Sequence, residues 1–112
     1  MVEKEITIRV APHCYKIYCA LQTATDHDTR TIFEYITDGI EQLRVTPNCG
    51  KSIQKKQCAH VLKEHELTNL WVLRLNNGWR ILYSLIGDGE RRIAVIIVFL
   101  GDHKEYERYL KY

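Results

Sequence analysis

The sequence predicts an α+β fold in which a helical hairpin packs on one face of an antiparallel sheet. Three observations carry that expectation. Apolar residues recur at three-and-four spacing through residues 12–43 and fall into strand-like runs from Leu70 onward, so helices and strands are segregated along the chain. The connections between the later runs are too short for anything but antiparallel neighbours. Asn76-Asn77-Gly78, between two of those runs, marks a hairpin because asparagine and glycine accept positive φ.

The elements follow in order. Glu5 to Val10 (EITIRV) alternates polar and β-branched residues, a first strand. Pro12 sits where a first helical turn tolerates it, and Cys14, Ile17, Tyr18 and Leu21 share one helical face. The polar stretch TATDHD offers Thr25, Asp26 and Asp28 as alternative N-caps for a second helix, from about Thr29 to Leu43. Its apolar stripe is Ile32, Ile36, Ile40 and Leu43 with Phe33 beside it; Gly39 weakens it slightly, and Pro47, Asn48 and Gly50 end it. Residues 48–69 are polar, lysine-bearing and weakly periodic, as in a loop with one helical turn or an irregular strand. LWVLRL, WRILYSLI and RRIAVIIVFL then form a three-stranded antiparallel meander, turning at Asn76-Asn77-Gly78 and at Gly87-Asp88-Gly89. In the middle strand Trp79, Ile81, Tyr83 and Leu85 take one face, and Arg80, Leu82, Ser84 and Ile86 the other. DHKEYERYLKY reads as a short charged helix or tail.

Two prolines and six glycines in 112 residues leave no room for a linker, so residues 1–112 are expected to form one domain. The mixture of 46% hydrophobic and 27% charged residues excludes a disordered chain. Acidic residues stand where a signal peptide needs a basic region, and no segment approaches the roughly 18 apolar residues of a membrane span. A cytoplasmic protein without a membrane partner is expected. The net charge of +2 does not by itself indicate a nucleic-acid partner. Its distribution is uneven: residues 1–50 carry −2 and residues 51–112 carry +4, which places any anionic partner on the second half. The four cysteines form no C-x-x-C pair. Cys49, Cys58, His60 and His65 can be drawn as a ligand set, but buried free thiols are the default, and no metal or other cofactor is expected.

Gly50-Lys51-Ser52 looks like the end of a Walker A loop, yet Val45 occupies the position of its first glycine and a helix precedes it. No serine elbow motif and no paired carboxylates in the strands support hydrolase or glycosidase chemistry. The basic residues carry more. Lys51, Lys55 and Lys56 lie ahead of the sheet, and Arg74 and Arg80 lie inside apolar strands. An arginine in mid-sheet keeps its charge and needs a carboxylate, a phosphate or water; a structural salt bridge or a solvated open sheet face is the ordinary solution. His103 and Tyr106 follow the last strand directly. A histidine and a tyrosine near basic residues can move a proton or hold a phosphate, or can simply belong to an exposed capping segment.

The runs LWVLRLNNGWRILYSL and IAVIIVFLGDHKEYERYLKY resemble the RelE/ParE superfamily of toxin–antitoxin toxins. Leu73, Leu75, Gly78, Arg80 and Tyr83 supply its L-x-L…G-x-R-x-x-Y signature, and His103, Lys104 and Tyr106 its C-terminal tail. The resemblance covers residues 50–112, and the helical hairpin only by pattern. It implies a RelE-like fold and a metal-independent endoribonuclease that cleaves mRNA at the ribosome by 2′-OH attack, inhibits translation and is neutralised by a cognate antitoxin. In that scheme Arg80, His103, Tyr106 and Lys55 are catalytic: Arg80 stabilises the phosphorane, His103 is acid or base, Tyr106 positions a base, and Lys55 binds phosphate or moves a proton. Lys51, Lys56, Arg74 and Tyr109 bind RNA, Tyr109 being the alternative stacking tyrosine. Asp102, Glu105 and Glu107 place acids in the tail that the resemblance directs at RNA. The alternative implied by the same superfamily is a non-catalytic, ParE-like or orphan protein-binding module.

Overall fold

Alternation in EITIRV produces strand β1 (Glu5–Val10), with Glu5, Thr7 and Arg9 exposed and Ile6, Ile8 and Val10 half-buried. A computed structural model describes residues 5–87 and 91–111. Helix α1 (Pro12–Gln22) opens on its proline, which lacks an N–H that would be unpaired there in any case. Helix α2 (His27–Val45) takes Asp26 as its cap among the three candidates. The Asp26 Oδ2 accepts from the Thr29 N–H at 2.9 Å and from the Thr29 hydroxyl at 2.6 Å.

The α+β class holds, but the sheet is larger than a three-stranded meander. It has five strands in the order β1-β5-β4-β3-β2, where β2 is Lys51–Ser52, β3 Trp71–Arg74, β4 Trp79–Gly87 and β5 Arg92–Asp102. Strands β3, β4 and β5 pair antiparallel, and β2 adds antiparallel to β3. Strand β1 pairs parallel with β5, from Glu5 opposite Arg92 to Val10 opposite Ile97, which makes the sheet mixed. The expected turn at Gly87-Asp88-Gly89 lies largely outside the described residues. The hairpin at Asn76-Asn77-Gly78 has Asn77 at φ 62° and Gly78 at φ 77°, the positive values those residue types accommodate.

The second correction concerns the faces. Cys14, Ile36 and Leu43 of the hairpin pack on Leu73, Ile81, Tyr83, Val95, Ile97 and Leu100, filling the first face. Gly39 is the point of closest approach: a Cβ there would stand 2.6 Å from Leu75 Cδ2 and 3.3 Å from Ile81 Cδ1. The opposite face is covered as well. Residues 48–69, expected as a loop with one helical turn or an irregular strand, contain the two-residue strand β2, a 3-10 turn at Lys55–Gln57 and the two-turn helix α3 (Ala59–His65). Helix α3 and helix α4 (His103–Lys111) lie over Val72, Leu82, Val98 and Phe99, with Cys58, Val61 and Leu70 completing this second core. Between Leu82 and Tyr83 the register with β5 shifts, so that Val98 is an extra residue and sits with Phe99 on the second face. That bulge widens the apolar seat on which α4 rests.

Cys14 and Cys58 are fully buried, as small hydrophobes, and burial pushes the Cys14 thiol up to about 12. Cys49 is exposed and departs from the expectation of core thiols. Among the described residues no helix is long and apolar enough to cross a membrane.

Candidate functional site

The second face carries the unusual charge. Strand parity puts Arg74 and Arg80 on the side of Val72 and Leu82, and they stand directly opposite each other across β3 and β4. The Leu75 N–H donates to the Trp79 carbonyl at 2.8 Å, so the arginine pair falls at a position without ladder hydrogen bonds, where side chains come closest. Like charges directly opposite are unfavourable in a sheet. Among the described residues no ion pair relieves them. Among the described residues the salt bridges are Glu41–Arg44 and Glu5–Arg92, and no carboxylate lies within 4.0 Å of Arg74 or Arg80.

Helix α4 brings an aromatic ring to the same place. The Arg80 guanidinium carbon lies 4.7 Å from the centre of the Tyr106 ring, a cation–π contact. Tyr106 is half-buried, with its ring tilted on Phe99 at 6.4 Å. Burial raises its phenol above the ordinary value, while the Arg80 and Arg74 guanidiniums pull it down. The phenol therefore stays a neutral donor beside two cations.

The acids of the tail are turned to another task. The Asp102 carboxylate accepts from the Glu105 N–H at 2.9 Å, and the Glu105 carboxylate accepts from the Asp102 N–H at 3.3 Å, a reciprocal capping box at the start of α4. The hydrogen bond from Glu105 holds the Asp102 carboxyl below its usual range. Both carboxylates thus hold the helix rather than neutralise the arginines. His103, the first residue of α4, is exposed and packs on Gly78, where an added Cβ would stand 3.0 Å from its Nδ1. The imidazole thus lies over Gly78, beside the β3–β4 turn.

Tyr109 is engaged in packing. Its ring stacks on Phe99 at 4.9 Å, its carbonyl accepts from His60 Nε2 at 2.7 Å, and its hydroxyl hydrogen-bonds His65 Nε2 at 2.9 Å. Burial pushes its phenol up to about 12. Both histidines of the imagined Cys–His set are committed to docking α3 on α4, and Tyr109 is not available to stack on a ligand without undoing that contact.

Lys51 shares a groove of about 320 Å³ with Arg74, lined also by Cys49, Gly50, Val72 and Leu73. Lys55 and Lys56 sit exposed in the 3-10 turn, held to the second face through Cys58, whose N–H donates to the Lys55 carbonyl at 3.2 Å. Among the described residues no hydrogen bond links either lysine to Arg80, His103 or Tyr106. The cluster is therefore Arg74, Arg80 and Tyr106, with Lys51 and His103 at its two margins. Phe99 supports it and left one trace in the sequence, an aromatic at the end of an otherwise aliphatic run. A larger concavity of about 720 Å³ lies away from this cluster, among Ile6, Val45, Pro47, Leu85 and Ile93. Its lining also includes Arg44, Thr46 and Asn48, none of which joins the arginine cluster.

No protein-family model matches the chain, and no curated protein or solved structure matches it either.

Proposed function

We propose that this chain is a RelE-type RNA endonuclease, the toxin of a toxin–antitoxin pair. The observation that carries the proposal is the pair of facing guanidiniums, Arg74 and Arg80, with no carboxylate within reach among the described residues. Two cations held together without internal counter-charge suit an external anion, and a neutral tyrosine stacked on one of them suits a nucleotide base above its phosphate. The L-x-L…G-x-R-x-x-Y pattern and the His–Lys–x–Tyr tail support the RelE reading of that anion site.

In this mechanism the RNA supplies its own nucleophile. The 2′-OH attacks the adjacent phosphorus, a new P–O bond forms, the bond to the 5′-oxygen breaks, and the products are a cyclic phosphate and a 5′-OH end. Arg80 stabilises the charge that develops on the phosphorane oxygens, with Arg74 and Lys51 holding flanking phosphates. His103 takes or returns a proton, Lys55 is the alternative proton carrier, and Lys56 adds charge along the RNA path. Tyr106 orients a base. An antitoxin segment with acidic or apolar side chains would silence the toxin by covering this face.

Expression of the wild-type chain should arrest growth and yield transcripts ending in a cyclic phosphate. Arg80→Ala and His103→Ala should each relieve the arrest. If wild-type expression neither slows growth nor cuts transcripts, the proposal is lost. A second reading draws on His103, which is exposed and has no hydrogen-bond partner among the described residues to set its tautomer. That favours a non-catalytic ParE-like or orphan binding module, for which His103 and Tyr106 variants would keep full toxicity or a topoisomerase would be recovered in a pull-down.

A further inference from the structure

Strand β1 is an edge of the sheet, and its outer side has no strand partner among the described residues. Its inner side is fixed by the ladder to β5: the Glu5 N–H donates to the Arg91 carbonyl at 2.6 Å and the Ala11 N–H to the Ile97 carbonyl at 2.9 Å. Alternation then directs the N–H and C=O groups of Ile6, Ile8 and Val10 outward. Six residues of extended backbone, without proline or bulge, form an edge that natural proteins usually cover.

The side chains of this edge are complementary to themselves. Glu5, Thr7 and Arg9 line one face, and Ile6, Ile8 and Val10 the other. When two copies of β1 run antiparallel about a two-fold axis at Thr7, Glu5 faces Arg9 of the other copy, twice, and Ile6 faces Ile8, twice. Thr7 faces itself. Ile6 and Ile8 then meet as a hydrogen-bonded pair, as their outward groups require, while Thr7 and the charged pairs fall at non-hydrogen-bonded positions. Opposite charges, β-branched pairs and Thr–Thr are the favourable cross-strand combinations. Arg92, which holds Glu5 at 3.4 Å, leaves that carboxylate flanked by guanidiniums on both sides.

We infer that β1 is a homodimerisation edge, joining two copies into one continuous ten-stranded sheet through an antiparallel β1–β1 pairing centred on Thr7. The axis is perpendicular to the sheet, so both copies keep their helical hairpins on one side and their arginine clusters on the other. The concavity beside Ile6, lined by Val45, Pro47, Leu85 and Ile93 together with Arg44, Thr46 and Asn48, lies on the hairpin side of β1, and Val45 in it is 79% exposed.

The test combines charge reversal with cross-linking on the full chain. Sedimentation analysis should show a dimer for the wild type, weakened about tenfold or more by Arg9→Glu, which sets glutamates opposite each other at both charged pairs. The double variant Glu5→Arg with Arg9→Glu should recover it. In a Cys49→Ser background, Thr7→Cys should form an intermolecular disulfide in mild oxidant, because its partner Cα is within bridging distance, whereas Glu5→Cys should not. A wild type that stays monomeric, a dimer indifferent to Arg9→Glu, or cross-linking as efficient from position 5 as from position 7 would each overturn the inference. The last two outcomes would point to another register or another surface, and a monomer to an edge kept for a different strand. Circular dichroism of each variant establishes that the fold is intact.

Discussion

Arg74 and Arg80 face each other across two strands with no counter-charge among the described residues, so replacing one of them by an acid should help the fold while damaging the site. In Arg74→Glu a repulsive cross-strand pair becomes an attractive one. Cross-strand charge pairs are worth about 0.2–1 kcal/mol in either direction, and the exposure of Arg74 favours the lower part of that range. The expected gain is roughly 0.5–1 kcal/mol, or about 2–5 °C in Tm for a domain of this size. Scanning calorimetry at low ionic strength should show the rise, and the difference should shrink in about 1 M salt, where screening acts over about 3 Å. Inorganic phosphate should stabilise the wild type and have little effect on the variant, because the anion performs the same neutralisation from outside. RNA cleavage by Arg74→Glu should fall. A variant less stable than wild type at low salt, or a gain of equal size at both salt concentrations, would refute the claim that the pair is strained by charge.

Tyr109→Phe keeps the stack on Phe99 and loses only the hydroxyl contact to His65, so it should cost about 0.5–1.5 kcal/mol in chemical denaturation, and Tyr109→Ala about 3–5 kcal/mol. Stability should also fall in alkali. The Tyr83 and Tyr109 phenols ionise near 10 when unfolded but only at about 12 in the fold, so stability present below the lower value is lost as pH rises through that window. Tyr83→Phe should flatten the alkaline slope, as measured by denaturation at a series of pH values. Gly78→Ala imposes φ 77° on a residue with a side chain and presses its Cβ on His103. It should cost about 1–2 kcal/mol in a thermal melt and lower RNA cleavage at every pH without loss of RNA binding.

What the sequence discloses depends on the range of the interaction. Local chemistry is legible: the Asn77-Gly78 turn, the proline at the start of α1, and the parity that puts Arg80 with Leu82 and opposite Ile81. The partner of β1 is not legible, because a parallel ladder joins residues from far ends of the chain and leaves no mark between them. Strand β2 has two residues, too few for a period. Helix α3 is short and stops at Glu66, which takes a left-handed φ of 55° without the glycine or asparagine that usually signals such an end. The bulge at Val98 hides inside a continuous apolar run. For the candidate site, strand faces suffice to put Arg74 and Arg80 on one side of the sheet, whereas the contact of Tyr106 with Arg80 has no local signature. Which tyrosine is engaged in packing, and where the acids of the tail go, depend on how α4 docks, and that is set by Phe99, His60 and His65 together.

The parallel ladder between β1 and β5 also dictates an order of events. Strand β1 is synthesised well before the strand that receives it, and no contact made by the intervening helices can substitute for those backbone hydrogen bonds. Pairing across so long a separation is slow to form and cannot begin on a growing chain until β5 has left the exit tunnel. The β4–β5 ladder, the most extensive in the sheet, joins strands that are neighbours in sequence and can form without waiting for β1. A ribosome that stalls before β5 would release a chain with both edges of EITIRV open, a species whose fate lies with chaperones and proteases rather than with the finished fold.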